Sequence, residues 1–364
     1  MITDKNNLIN MLNDSKQNLG EKLIVLWGIG NTAKLYQKDI AMLEQEGLNI
    51  AYYTVSDSSK WGQTFAGKLI IPPLKLKELD SVFVIICSMN PQMTAEIKVS
   101  LTEIGIEYAS IDKVIFSRHS REVIECFDIL EDAESKRIYF HLIKARMDVV
   151  NPPQDIVISD QYYSLPQFSA ENENEILVEC GTYIGDTIEA YVRKKNRKFG
   201  QIISFEPDPD NLLKAQETTQ KLLEEFRLGK NQIKLYPYAV GNKEEKVYIE
   251  RSKTNKGQLT QVIPVNESTN NEKCIETIVL DKFLTLPYSF LKADVEGYEQ
   301  RILLGAQKGI QRYKPLLAIC IYHSAVDFYK IPLLIKEIVP EYKLAVRHHL
   351  NTLSETVVYA YIEN

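Results

Sequence analysis

Apolar residues in this chain cluster in short unbroken runs rather than alternating with polar ones. Leu23 to Trp27 is one such run, and the turn Gly28-Ile29-Gly30 follows it at once. A helical period then continues through Ile40 and Leu43. A continuous apolar run of strand length fits a strand buried on both faces, which is the habit of parallel sheets. Asn49 to Val55 and Val82 to Cys87 read as further strands, and Pro91 to Ile104 as a helix that Gly105 stops. The alternation predicts a small α/β domain, Rossmann-like, within residues 1–115.

The period changes after Ser120. Val123, Ile124, Phe127 and Leu130, then Ile138, Phe140, Leu142 and Met147, recur at helical spacing. Residues 116–170 are therefore expected to form a helical connector. Asn151-Pro152-Pro153 ends it, because proline cannot continue a helix and disfavours helix in the residue before it. Asp160 to Glu175 reads as loop.

A second α/β domain is expected over residues 171–364. It opens with the strand Ile176 to Cys180, the turn Gly181-Thr182-Tyr183-Ile184-Gly185 and a helix from Asp186. Gln201 to Phe205 is the next strand, and Asp210 to Phe226 a helix. Ile233 to Val240, Lys246 to Arg251, Phe290 to Asp294 and Leu316 to Tyr322 read as strands. Tyr342 to Arg347 and Thr356 to Ile362 are expected to close the domain as an antiparallel pair.

Composition narrows the partners. The 364 residues suit two domains, and 45% hydrophobic with 25% charged content is ordinary for globular chains. The net charge of −6 gives no basic stripe for nucleic acid. The run Arg193, Lys194, Lys195, Arg197 and Lys198 reads as a helix C-terminus, where cations suit the dipole. No apolar run approaches the ~20 residues of a membrane span. The first residues lack the pattern of a signal peptide. The five cysteines are scattered, without the spacing of a zinc site or disulfide framework. The expected compartment is the reducing cytoplasm.

Candidate chemistry gathers at strand ends. The first constellation is Glu179-x-Gly181-x-x-x-Gly185, where glycine lets backbone approach a ligand and the following helix offers unpaired N–H groups. Dinucleotide enzymes space their glycines differently, to seat a pyrophosphate. An acidic residue before the turn suits a ligand without phosphate, such as S-adenosylmethionine (SAM), where it can meet the methionine ammonium. Glu206 ends the second strand, 206 − 181 = 25 residues after Gly181, where it can accept from both ribose hydroxyls. The alternative is a surface turn, for which Glu-Pro-Asp-Pro is good chemistry. Asp294 ends a central strand and is a candidate base, metal ligand or substrate-orienting group; its bland alternative is a helix N-cap. His323, after the next apolar strand, is a candidate general base, or else a buried structural histidine. Arg347-His348-His349 returns to the same face or sits in a surface hairpin.

Taken in order, these residues resemble the FkbM family of methyltransferases. Glu179 to Thr187 is similar to its nucleotide-loop motif, and Lys292-Ala293-Asp294-Val295-Glu296-Gly297-Tyr298-Glu299 to its second signature. Phe205 to Pro209, Ala239-Val240-Gly241, Leu280-Asp281, Lys314-Pro315, Tyr322-His323, Asp327, Ile331-Pro332 and Arg347-His348-His349 continue the likeness, over roughly residues 130–364. Glu179 stands where Asp is more usual, and Thr182 where Ala is. The resemblance implies a Rossmann-like SAM-dependent methyltransferase with a seven-stranded sheet and one reversed strand. It implies O-methylation, often of sugar hydroxyls in glycans or natural products. Glu179, Gly181, Thr182, Tyr183, Gly185, Asp186, Thr187, Glu206, Pro207, Ala239, Val240 and Asp294 are then the expected cofactor residues. His323 and Asp294 are the expected catalytic pair, and a divalent metal between them would lower the hydroxyl's pKa. Gln161, Tyr162, Glu296, Arg347 and His348 are candidate acceptor contacts, as is the loop Gly257-Gln258-Leu259.

The first domain is less legible. Gly28-x-Gly30-x-x-Ala33, with Asp57 later, resembles a nucleotide- or sugar-nucleotide-binding half, although a lone glycine fingerprint is weak. Substrate positioning and homodimerisation are the other readings of that domain. Two rivals to the whole remain open at this point: an NAD(P)-dependent oxidoreductase of two Rossmann domains, and a noncatalytic sugar-nucleotide-binding protein. N-methylation of an amino sugar is a third variant of the chemistry.

Overall fold

The computed structural model describes residues 2–251, 260–264 and 274–363. The loop Gly257-Gln258-Leu259 lies outside the described residues. The chain divides into two compact units, the first made of residues 1–157, 322–329 and 350–354, the second of residues 158–321, 330–349 and 355–364. The expected connector is thus divided: its helices pack into the first unit, and the segment from Ile158 belongs to the second.

The first unit carries strands β1 (Leu23–Trp27), β2 (Asn49–Thr54), β3 (Thr64–Phe65), β4 (Lys68–Ile71), β5 (Val82–Ile86) and β6 (Glu107–Ser110). Their order is β3-β4-β2-β1-β5-β6, parallel throughout except for β3. Central β1 and β5 are covered on both faces, which is why their sequences are unbroken apolar runs. Val25, Trp27, Val84, Ile86, Ile97 and Leu101 share one core cluster. Short β3, β4 and β6 have too few positions to show a period, and the sequence reading missed them.

Helices Ile111–Arg118, Ser120–Ile129 and Ala133–Asp148 follow. The last begins where Asp132 accepts from Ser135 N–H at 2.7 Å and ends at Val149 in the left-handed conformation, just before the prolines. It buries Arg146, whose guanidinium donates to Asp112 Oδ2 (2.6 Å), Tyr36 Oη (2.5 Å), and the carbonyls of Tyr322 (3.0 Å) and Leu353 (3.1 Å). Both returning segments of the unit, 322–329 and 350–354, are therefore tied to one side chain.

The second unit holds β7 (Ile176–Cys180), β8 (Gln201–Phe205), β9 (Ile233–Tyr236), β10 (Ala239–Gly241), β11 (Lys246–Arg251), β12 (Thr260–Pro264), β13 (Ile275–Val279), β14 (Phe290–Ala293), β15 (Leu316–Cys320), β16 (Lys343–His348) and β17 (Thr356–Tyr361). Seven of them form a sheet in the order β16-β17-β15-β14-β7-β8-β9. Only β17 runs against its neighbours, so the sheet has the one reversed strand that was expected. A smaller sheet is ordered β10-β13-β11-β12. The single strand expected over 233–240 is two strands in two sheets. Pro237, which lacks the N–H a ladder needs, lies at the break. Strand order reverses between β7 and β14, since β8 and β9 continue to one side and β15 to the other. In open α/β sheets the carboxyl ends at such a reversal are where ligands bind. Among the described residues no helix is long and apolar enough to cross a membrane.

Candidate active site at the strand-order reversal

Gly181 and Asp294 follow the two strands that flank the reversal. Gly181 has φ +86°, and a Cβ built on it would lie 1.9 Å from the Asp294 carbonyl oxygen. Only glycine permits both that conformation and that approach. The turn then runs through Tyr183, at φ +51°, to Gly185 at φ +86°, which caps the helix Asp186–Lys194. Asp186 and Thr187 open this helix, exposed and half-buried respectively. Left-handed Tyr183, and left-handed Glu296 after β14 at φ +56°, concentrate backbone strain at these two strand ends.

Beneath the turn the polar groups are buried and joined. Thr182 Oγ1 bonds Ser204 Oγ and lies 3.2 Å from the Phe205 carbonyl. Ser204 Oγ donates to Glu179 Oε2 at 2.6 Å. Glu179 Oε1 lies 3.5 Å from Lys292 Nζ, which donates to the Gly181 carbonyl at 2.9 Å. Burial holds the Glu179 carboxyl above the usual carboxylate range, against the lowering pull of Lys292. Glu179, the residue expected to meet a ligand's ammonium, is fully buried, and its carboxylate is engaged by Ser204 and Lys292.

Glu206 sits at the end of β8 and is anchored by the turn itself. Its carboxylate accepts from Tyr183 N–H at 2.8 Å and from Asp208 N–H at 2.9 Å. One oxygen takes each bond, so both keep a lone pair for a further donor. Burial pushes the Glu206 carboxyl up to about 7, although those two N–H donors pull it down. Pro207 is half-buried beside it.

Across the reversal, the Tyr162 phenol donates to Asp294 Oδ2 at 2.8 Å. Tyr162 is left-handed at φ +67° and its N–H donates to Tyr359 Oη at 2.8 Å. Gln161 donates to Glu355. His348 is fully buried and shares a hydrogen bond with Thr356, its partner in the closing hairpin, while Arg347 is half-buried. Ala239 and Val240 are buried in the smaller sheet. His323 is buried and comes three residues after β15, in the segment 322–329 that belongs to the first unit.

Residues 179–344 match the family described as Methyltransferase FkbM domain. These residues form an FkbM methyltransferase domain. The protein is accordingly a SAM-dependent methyltransferase, and the oxidoreductase and noncatalytic alternatives give way to that reading. Residues 20–112 match a separate family, described as C2185-like, N-terminal. No curated protein matches the chain. Among solved structures, methyltransferase FkbM from Methylobacillus flagellatus KT aligns over 99% of this chain and 98% of its own, at 17% identity and TM-score 0.55, which shows a shared fold. An rRNA methylase from Streptococcus thermophilus (13% identity, 57% of this chain, 100% of that one, TM-score 0.34) and fibrillarin from Aeropyrum pernix with natively bound SAM (12%, 54%, 70%, 0.33) are also similar. At those scores neither carries an argument about this chain.

The FkbM domain's turn fits the cofactor. Glu206, buried yet anchored with lone pairs free, suits the two hydroxyl donors of a ribose. The basic run after the turn has other partners: Arg193 pairs with Glu189 and Glu225, Lys194 with Asp160, Lys195 with Glu175 and Lys198 with Glu171. In the first unit Gly28 answers a packing need, since a Cβ there would lie 2.6 Å from the Cys87 carbonyl. Asp57 caps a short turn by accepting from Ser59 N–H. Neither geometry points to a nucleotide. Lys292, read only as part of the second signature, and Ser204 are residues to which the sequence reading gave no role. A lysine inside the apolar run Phe290 to Ala293 was the available signal, because a buried charge needs a partner and a reason.

Proposed function

We propose that this methyltransferase acts on a hydroxyl group of a sugar, glycan or related small molecule. The observation that most supports this is the Asp294 carboxylate, held by the Tyr162 phenol at 2.8 Å at the carboxyl end of β14, beside the glycine turn. A fixed carboxylate at that place can accept a hydrogen bond from an acceptor hydroxyl and orient it. Bound SAM supplies a methyl group already activated by the sulfonium, so the protein's work is mostly positioning. Glu206 holds the ribose, the turn 181–185 holds the methionine end, and Asp294 orients the hydroxyl. A hydroxyl is a weak nucleophile and wants a base; His323 is the first candidate and Asp294 the second.

The test is incubation with methyl-labelled SAM and a panel of sugars, nucleotide sugars and oligosaccharides, with the label located by mass spectrometry. An O-methylated sugar is the expected product, and label only on nitrogen or on a non-sugar acceptor would refute the acceptor class. His323→Ala is expected to lower turnover by about 100-fold or more, the usual range for a general base, while leaving S-adenosylhomocysteine (SAH) binding unchanged. Loss of activity in chelator, restored by one divalent cation, would mean that a metal ion lowers the hydroxyl's pKa in place of a side-chain base.

A further inference from the structure

Lys292 is an expensive residue where it stands. It occupies the middle of β14, paired with Glu179 on β7 and Ala318 on β15, and is 3% exposed. Apolar residues of similar volume would cost less at such a position, since a buried ion pair rarely repays its desolvation. Three contacts define what the ammonium does there. It donates to the Gly181 carbonyl at 2.9 Å, lies 3.5 Å from Glu179 Oε1, and sits 5.0 Å from the centre of the Tyr162 ring. The first contact reaches the cofactor turn. The last reaches the residue whose phenol holds Asp294. Burial alone would discharge the lysine; Glu179 and Asp294 more than offset it and keep the ammonium charged.

We propose that Lys292, with Glu179 as its counter-ion, is a positioning residue that couples the cofactor turn to the group orienting the acceptor. Its ammonium fixes the Gly181 carbonyl and thereby the peptide that starts the turn. The same charge holds the face of Tyr162, whose hydroxyl fixes Asp294. One buried cation thus sets the geometry on both sides of the strand-order reversal. The proposal rests on SAM binding at the turn 181–185.

The experiment separates positioning from folding. Lys292→Met alone would leave Glu179 charged and unpaired, so the informative variant is Lys292→Met/Glu179→Gln, which removes both charges. Its melting temperature should equal or exceed that of the wild type. Its affinity for SAH, measured by calorimetry, should fall by about thirtyfold, or ~2 kcal/mol, the worth of a charge-assisted hydrogen bond. A folded double variant that binds SAH as the wild type does would overturn the proposal alone. Wild-type protein that fails to bind SAH would overturn it together with the cofactor site. Should the double variant not fold, Glu179→Gln takes its place. This near-isosteric change removes the counter-ion and should lower the melting temperature; weaker SAH binding, measured well below that temperature, is expected, and unchanged binding refutes the coupling.

Discussion

The carbonyl oxygen of Asp294 lies 1.9 Å from where a Cβ on Gly181 would be. The ends of β7 and β14 are thus locked together by the absence of one side chain, and the turn that follows inherits its position. Gly181→Ala must push β14 away or twist the turn, so it is expected to abolish measurable SAH binding and to lower the melting temperature. Gly297→Ala is the control. That residue is also left-handed, at φ +90°, but a Cβ there meets nothing within 4 Å. It should cost only the conformational penalty, roughly 1–2 kcal/mol, and leave SAH binding nearly intact. Equal losses of binding in the two variants would refute the close-approach argument.

Glu206 makes cofactor binding depend on pH. Burial raises its carboxyl from 4.5 to about 7 in the folded protein. Between those values the folded state holds the extra proton, so this group makes stability fall as pH rises through the window. Binding has the opposite slope. Two ribose hydroxyl donors need the ionised acceptor, so SAH affinity should rise with pH and level off above about 7. Calorimetry in buffers of different ionisation enthalpy should show a proton released below the plateau. In Glu206→Gln the slope should vanish and the affinity fall by about tenfold or more. A pH-independent wild-type affinity would refute the ribose assignment.

The seven-stranded sheet was largely legible, because parallel strands buried on both faces announce themselves as unbroken apolar runs. The residues flanking its reversal were legible too, as glycines and carboxylates placed directly after such runs. The small sheet was not. Pro237 divides a run that reads as one strand, and β13 shows no clear period. Lys292 was visible only as part of a motif, without a role, because its partners, Glu179 and the Gly181 carbonyl, lie more than 100 positions away in the chain. For the same reason the sequence could not show that Glu179 is engaged from within, or that Gly28 packs against Cys87. Spacing reports which residues are near a turn, but not which of them the core has already claimed.

Arg146 and Asp112 test how the first unit is held. The pair is almost wholly buried, and the guanidinium also carries the carbonyls of Tyr322 and Leu353. Arg146→Met strands a buried carboxylate and two carbonyls, and should destabilise the protein by about 3–5 kcal/mol. Asp112→Asn should cost less, because the neutral amide can still accept from Arg146. Urea unfolding of both single variants and the double, read as a thermodynamic cycle, should give a coupling of about 0.5–3 kcal/mol. Additive losses would mean that the two residues act separately.

His349 gives the second unit an acid limit. Its Nδ1 lies 2.7 Å from the Ile158 carbonyl and its Nε2 3.0 Å from Tyr359 Oη. A carbonyl only accepts, so Nδ1 carries the proton and Nε2 accepts from the Tyr359 hydroxyl. Tyr359 in turn accepts from Tyr162 N–H, so a neutral imidazole pins the segment that delivers Tyr162 to Asp294. Burial lowers the imidazole to about 4 from an ordinary 6.5, with Arg347 adding to the effect. The unfolded chain therefore takes up the proton first. Stability from this group is complete above 6.5 and is lost as pH falls towards about 4. The full loss is about 3 kcal/mol. In His349→Asn, whose amide can still donate to Ile158, the slope of melting temperature against pH should flatten between those two values while neutral-pH stability falls only modestly. An unchanged slope would mean that another group sets the acid limit.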